Sequence, residues 1–90
     1  MYSISFGSKF KRDFNTIQKR GYPIDQMEEV FHLLEKEGKL PFKYLPHKLS
    51  GNYIHCWECH IRPDWLLIWE KDEILKEIRL IRTGTHSDLF

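Results

Sequence analysis

The ninety-residue sequence predicts an α+β fold, with two amino-terminal helices packed on one face of a largely antiparallel sheet of about four strands. In the first half, apolar residues recur at the spacing of amphipathic helices. After residue 53 they gather in runs divided by short polar turns, which leave no room for crossover helices and favour hairpins. The composition, 41% hydrophobic and 30% charged, is that of a folded domain, and the length suits a single domain over residues 1–90.

Each element has its own signal. Tyr2 to Phe6 reads as a short strand, and Ser8 offers a cap to a helix whose buried stripe is Phe10, Phe14 and Ile17. A second helix opens near Pro23, carries Ile24, Met27, Val30, Phe31 and Leu34 inward, and closes at Gly38. His32 falls on its solvated side with Asp25, Glu28 and Glu35 and receives no role. Residues 39–52, with two prolines, a glycine and His47, read as an extended connection. Tyr53 to Ile61, Trp65 to Glu70 and Ile74 to Thr83 then supply strands, divided by turns at Arg62-Pro63 and Lys71-Asp72-Glu73.

The formal net charge is only +1, so no strong global field draws the chain to nucleic acid or membrane. The charge is unevenly placed, however. Residues 1–20 hold five basic groups against one acid, and residues 21–39 hold five acids against two basic groups. On the first helix Lys9, Arg12, Lys19 and Arg20 gather opposite the apolar stripe, with Lys11 in the same segment, and form either a solvated face or a ridge for phosphates. The longest apolar run, Trp65 to Trp69, is far shorter than the about 20 residues of a spanning helix, and the amino terminus lacks the pattern of a signal peptide. A cytoplasmic location with Cys56 and Cys59 reduced is the expectation.

The segment His55-Cys56-Trp57-Glu58-Cys59-His60 contains four potential zinc ligands. Strand alternation argues against zinc, because Cys56 shares a face with Glu58 and His60 while Cys59 shares the other with His55 and Trp57. With Trp57, Cys59 and Ile61 toward the helices, His60 faces the open side of the sheet, and Asp64 follows at the turn. Near the carboxyl end stand Arg82-Thr83-Gly84-Thr85-His86 and the terminal Phe90. Such groups suit RNA cleavage through its own 2′-hydroxyl, which needs a base, an acid for the departing 5′-oxygen and a cation for the phosphate. Histidine serves either proton role near neutrality, arginine pairs bidentately with phosphate, and no metal or cofactor is required.

Three blocks carry a family resemblance: His47-Lys48-Leu49 with Gly51, the run His60-Ile61-Arg62-Pro63-Asp64-Trp65-Leu66-Leu67-Ile68, and Arg82 to His86 with the closing Leu89-Phe90. The chain resembles the YafQ-type branch of the RelE superfamily, bacterial toxins of toxin–antitoxin pairs that cleave mRNA on the ribosome. The resemblance implies a RelE-like, microbial-ribonuclease-like fold and a metal-independent endoribonuclease. It implies an acid–base cluster of His47, His60, Asp64 and His86, with Arg82 stabilising charge and Phe90 stacking on or positioning a nucleotide. Within it, His86 is assigned as general acid and either Asp64 or His60 as base, with His47 positioning phosphate or sharing proton transfer. Lys9, Lys11, Arg12, Lys19, Arg20 and Trp65 become the expected contacts to ribosomal RNA and mRNA. A cognate antitoxin and the ribosome are the implied partners of a monomeric free toxin, and no membrane is involved. The other class of function is a catalytically inactive RNA- or partner-binding module of the same fold.

Overall fold

The computed structural model describes residues 1–90. The elements are β1 (Ser3–Phe6), α1 (Ser8–Lys19), α2 (Ile24–Glu37), β2 (His47–Lys48), β3 (Trp57–Arg62), β4 (Trp65–Asp72), β5 (Glu77–Gly84) and a one-turn helix α3 (His86–Leu89), with 3-10 turns at Phe42–Tyr44 and Gly51–Tyr53. The sheet order is β1-β5-β4-β3-β2. The α+β class and the two leading helices stand as expected, but there are five strands, because His47 and Lys48 pair antiparallel with Glu58 and Trp57. All strand pairs are antiparallel except β1 with β5, which run parallel with Ile4 opposite Ile78.

Several boundaries differ from expectation for local reasons. Gly7 rather than Ser8 is the cap of α1, and it makes no side-chain cap bond. Gly38 does close α2, at φ 70, where a Cβ would run into the Tyr2 ring. β3 starts at Trp57, after His55 bends the chain at φ 75. β4 runs on to Asp72, whose carboxylate accepts the amides of Ile74 and Leu75 at 2.9 Å and so holds the turn. Ile74 and Leu75 are therefore exposed turn residues, and β5 begins at Glu77.

The helices cover one face of the sheet. Phe10 and Ile17 of α1 and Met27, Val30 and Leu34 of α2 pack on Cys59, Trp65, Leu67, Trp69, Ile78 and Leu80. The other face carries a smaller cluster of Cys56, Leu66, Ile68 and Leu89, flanked by Leu49, Tyr53 and Ile81. That face, expected to be open, is thus partly roofed by α3 and the segment before β3. A bulge at Ile81 shifts the β4–β5 register, since Trp69 pairs with Leu80 but Ile68 pairs with Arg82. Without the extra residue Arg82 would follow Ile78 and Leu80 toward the helices; the bulge turns it to the second face.

Candidate active site

The second face gathers the predicted histidines in a row. β2 brings His47 beside β3, and strand alternation puts Glu58 and His60 on the same face as Leu66 and Ile68. Ring centroids lie 6.1 Å apart for His47 and His60, and 5.8 Å apart for His60 and His86. Backbone carbonyls hold the first two rings: His47 Nδ1 is 2.8 Å from the Leu45 oxygen and His60 Nδ1 is 3.2 Å from the Pro63 oxygen. A carbonyl only accepts, so in both rings Nδ1 carries the proton and donates it; Nε2 of His60 is left for chemistry, whereas Nε2 of His47 lies 3.1 Å from Glu58 Oε1.

Asp64, from the β3–β4 turn, binds His86 twice. Its Oδ1 accepts the His86 backbone amide at 3.0 Å and lies 2.6 Å from Nδ1 of the ring. The amide bond first, then the ring bond, holds the Asp64 carboxyl below the usual carboxylate range. Asp64 is therefore a fixed anion that orients His86 with Nε2 outward, an arrangement that also supports the imidazolium.

The helix α3 that carries His86 is latched. Thr85 and Asp88 form a capping box, and Asp88 also takes a bidentate pair from Arg20 at 2.6 and 3.0 Å. The guanidinium and the Thr85 amide hold the Asp88 carboxyl far below its ordinary value. Gly84 permits the close turn, since a Cβ there would sit 2.8 Å from an Asp88 oxygen. Leu89 plugs the small cluster, while Phe90 is 66% exposed with its ring edge-on to Tyr53 at 5.6 Å.

Arg82 lies beside this group, with its guanidinium engaged. Nε and Nη2 donate to Asp13 of α1 at 2.6 and 3.1 Å, and Nη1 reaches the Tyr53 hydroxyl at 3.4 Å. Pairing with Asp13 raises the Arg82 pKa further, so the cation is permanent. Lys9 and Arg12 line a polar groove with Asp13, Thr16 and Arg82, which joins the basic side of α1 to the site.

The model of the YafQ bacterial toxins of type II toxin–antitoxin systems matches residues 2–90. The chain belongs to that family. It is 32% identical over 88 residues to the mRNA interferase toxin YafQ of Escherichia coli K12, covering 97% of this chain and 94% of that one. Two solved structures superpose over the whole chain: the E. coli DinJ-YafQ complex (TM-score 0.89, 31% identity, 99% of that chain) and a metal-bound toxin from Helicobacter pylori (TM-score 0.90, 33% identity, all of that chain).

Within this YafQ-family fold, two expected RNA contacts have other employment. Trp65 is 1% exposed, packs edge-on against Tyr22 and donates its indole N–H to Thr83, so it is a core residue and offers no surface to RNA. Arg20 is committed to Asp88, which makes it a tie to α3. Lys9, Lys11, Arg12 and Lys19 are exposed, although Lys11 lines an aromatic groove with Phe6, Phe10 and Phe14 rather than the polar one. Cys56 and Cys59 fall on opposite faces, both buried, which removes the cysteine-based zinc site. Four site residues escaped the sequence reading: Glu58, Tyr53, Asp13 and Asp88. Only Glu58 had a readable signal there, its place two residues before His60 on one strand face.

Proposed function

We propose that the chain is an mRNA-cleaving endoribonuclease, the toxin of a toxin–antitoxin pair, working by metal-independent acid–base catalysis. The observation that carries this reading is the row His47, His60 and His86, with Asp64 holding His86 so that Nε2 faces out. His60, its Nδ1 tied to Pro63, takes the proton of the 2′-hydroxyl through Nε2. The hydroxyl oxygen attacks phosphorus, and imidazolium His86 gives its Nε2 proton to the departing 5′-oxygen. Asp64, held ionised, is the orienting anion rather than the base. His47 steadies the phosphate, Arg82 offers it the Nη1 edge, and Phe90 gives a base an exposed ring to stack on. The products are a 2′,3′-cyclic phosphate, or its hydrolysed 3′-phosphate, and a 5′-hydroxyl.

The site is shallow and open, which suits a substrate presented by the ribosome. Lys9, Arg12 and Lys19 dock on ribosomal RNA in the cytoplasm, and the decoding site supplies proximity. No helix is long and apolar enough to cross a membrane. A DinJ-like antitoxin, as in the E. coli complex, silences the chain. The test is induction of the chain and of His86→Gln, with primer extension on cellular mRNA. Cleavage falls by about 10²–10⁴-fold in the variant; undiminished cleavage overturns the reading.

A further inference from the structure

We infer that Asp13 of α1 is the positioning residue for Arg82 in the proposed cleavage: its carboxylate grips the guanidinium from the α1 side and leaves the Nη1 edge presented to the phosphate. The inference deepens the proposed function and rests on Arg82 being the cation that meets the phosphate.

Three donors converge on this one carboxylate. Oδ2 accepts Nε of Arg82 at 2.6 Å and the Thr83 backbone amide at 3.1 Å, and Oδ1 accepts Nη2 at 3.1 Å. The amide bond has a topological cause. β1 ends at Phe6, opposite Leu80 of β5, so β5 runs on past its parallel neighbour with an edge amide to satisfy. Asp13, one turn along α1 from the buried Phe10, supplies the acceptor. The carboxylate is thereby anchored to the backbone beside Arg82 as well as to its mobile end.

The guanidinium then bridges the two faces of the sheet. Its Nε and Nη2 edge is engaged by α1, whereas Nη1 points to Tyr53, which packs on the second-face cluster of Leu66, Ile68 and Leu89. Nη1 meets the tyrosine hydroxyl at 3.4 Å, a long hydrogen bond that is readily exchanged for a charge-assisted one to a phosphate oxygen. Because the fork is rigid and planar, fixing Nε and Nη2 also fixes the direction in which the remaining donors point. A carboxylate that sequestered Arg82 would cover the edge phosphate needs and would leave when RNA binds. Asp13 covers the far edge and keeps its bond to Thr83 throughout. It is also the only acid in the groove it shares with Lys9, Arg12 and Arg82, so its loss removes the one attraction that holds the guanidinium in place.

The experiment measures mRNA cleavage on programmed ribosomes by the full chain, by Asp13→Asn, by Arg82→Gln and by the double variant. Asp13→Asn keeps the side chain's shape and an acceptor for the Thr83 amide but loses the charge and the second acceptor. We expect kcat to fall by about tenfold to a hundredfold, with KM within about twofold of the wild type. Asp13→Glu, which keeps a carboxylate, should recover part of that loss. In the Arg82→Gln background the Asp13→Asn change should cost nothing further, since a residue that acts through Arg82 has nothing left to act on. A rise in kcat makes Asp13 a sequestering group, an equal loss in both backgrounds makes it a structural one, and an unchanged kcat makes it idle; each overturns the inference. If Asp13→Asn does not fold, the wild-type chain carries the test: Arg82 should give separate Nη1 and Nη2 resonances, and a freely rotating, averaged guanidinium overturns the inference. Absence of cleavage by the wild-type chain is instead failure of the proposed function, and the resonances then still report whether Asp13 fixes Arg82.

Discussion

The two faces of one sheet are built to different ends. On the helix side, thirteen buried residues interlock, among them Trp65 and Trp69 at 1% exposure, and every large side chain has apolar neighbours. On the other side only Cys56, Leu66, Ile68 and Leu89 form a buried cluster, and around it stand three histidines, the carboxylates of Glu58 and Asp64, and Arg82 with its partner Asp13. Close packing stabilises and tolerates no gap, whereas a proton-transfer surface needs groups that keep free lone pairs and open space for a substrate. The shared strands β3, β4 and β5 reconcile the two, because one face fixes the backbone on which the other face's geometry depends.

Substitutions separate these roles. Trp65→Ala removes a large core side chain and the N–H bond to Thr83, and should cost about 3–5 kcal/mol of stability, read by chemical denaturation. For a small domain that is a large share of a total of about 5–15 kcal/mol. His86→Gln should do the opposite, removing cleavage as stated above while leaving the denaturation midpoint within the error of the wild type. A His86→Gln variant that unfolds with Trp65→Ala would dissolve the distinction between the faces.

A smaller effect is expected at the latch. Arg20→Gln should lower kcat by about tenfold with little change in KM, because the bond it loses is made to Asp88 and not to RNA; Arg20→Lys should recover only part, since one ammonium cannot reproduce the bidentate fork. A KM effect without a kcat effect would restore Arg20 to the RNA-binding surface. Reversal of Lys9, Arg12 and Lys19 should weaken ribosome binding at low salt, with the difference shrinking as salt rises. Unchanged co-sedimentation of that variant would remove the ridge from the docking surface.

Acid gives the mildest test. The Asp64 and Asp88 carboxyls titrate below their ordinary value of 3.8 in the folded chain, Asp88 by far the lower. Their contribution is therefore present at neutral pH and is lost as pH falls below the usual carboxylate range toward the folded-state values. Resonances of His86 and Phe90 should move toward those of a released turn at a higher pH than resonances of Leu67 or Ile78 respond. Simultaneous loss of both sets would show that α3 has no independent opening.

Much of this was readable from local pattern. The stripes of Phe10, Phe14 and Ile17 and of Met27, Val30 and Leu34 marked two helices, because helical periodicity is written into contiguous sequence. Alternation from Trp57 to Ile61 assigned both faces of β3 correctly, including the side that carries His60. What escaped depends on partners distant along the chain. His47-Lys48 is a strand only because β3 lies beside it, and β1 runs parallel to β5 for reasons no local motif contains. The bulge at Ile81 leaves no signature, yet it decides which way Arg82 points. Trp65 and Arg20 were legible as residue types suited to RNA, but their partners Thr83 and Asp88 lie 18 and 68 residues away.

Two of the groups assigned to chemistry, His86 and Phe90, ride on or directly after the four-residue helix α3, held by Asp64, by Arg20 and by the seat of Leu89. Their presence in the site is thus a matter of occupancy: the observed rate is the rate of a docked molecule multiplied by the fraction docked. A chain with this turn seated half the time works at half speed with every reacting group unchanged. Small changes at Gly84, Arg20 or Leu89 therefore grade the potency of the toxin continuously, whereas a change at His86 can only switch it off.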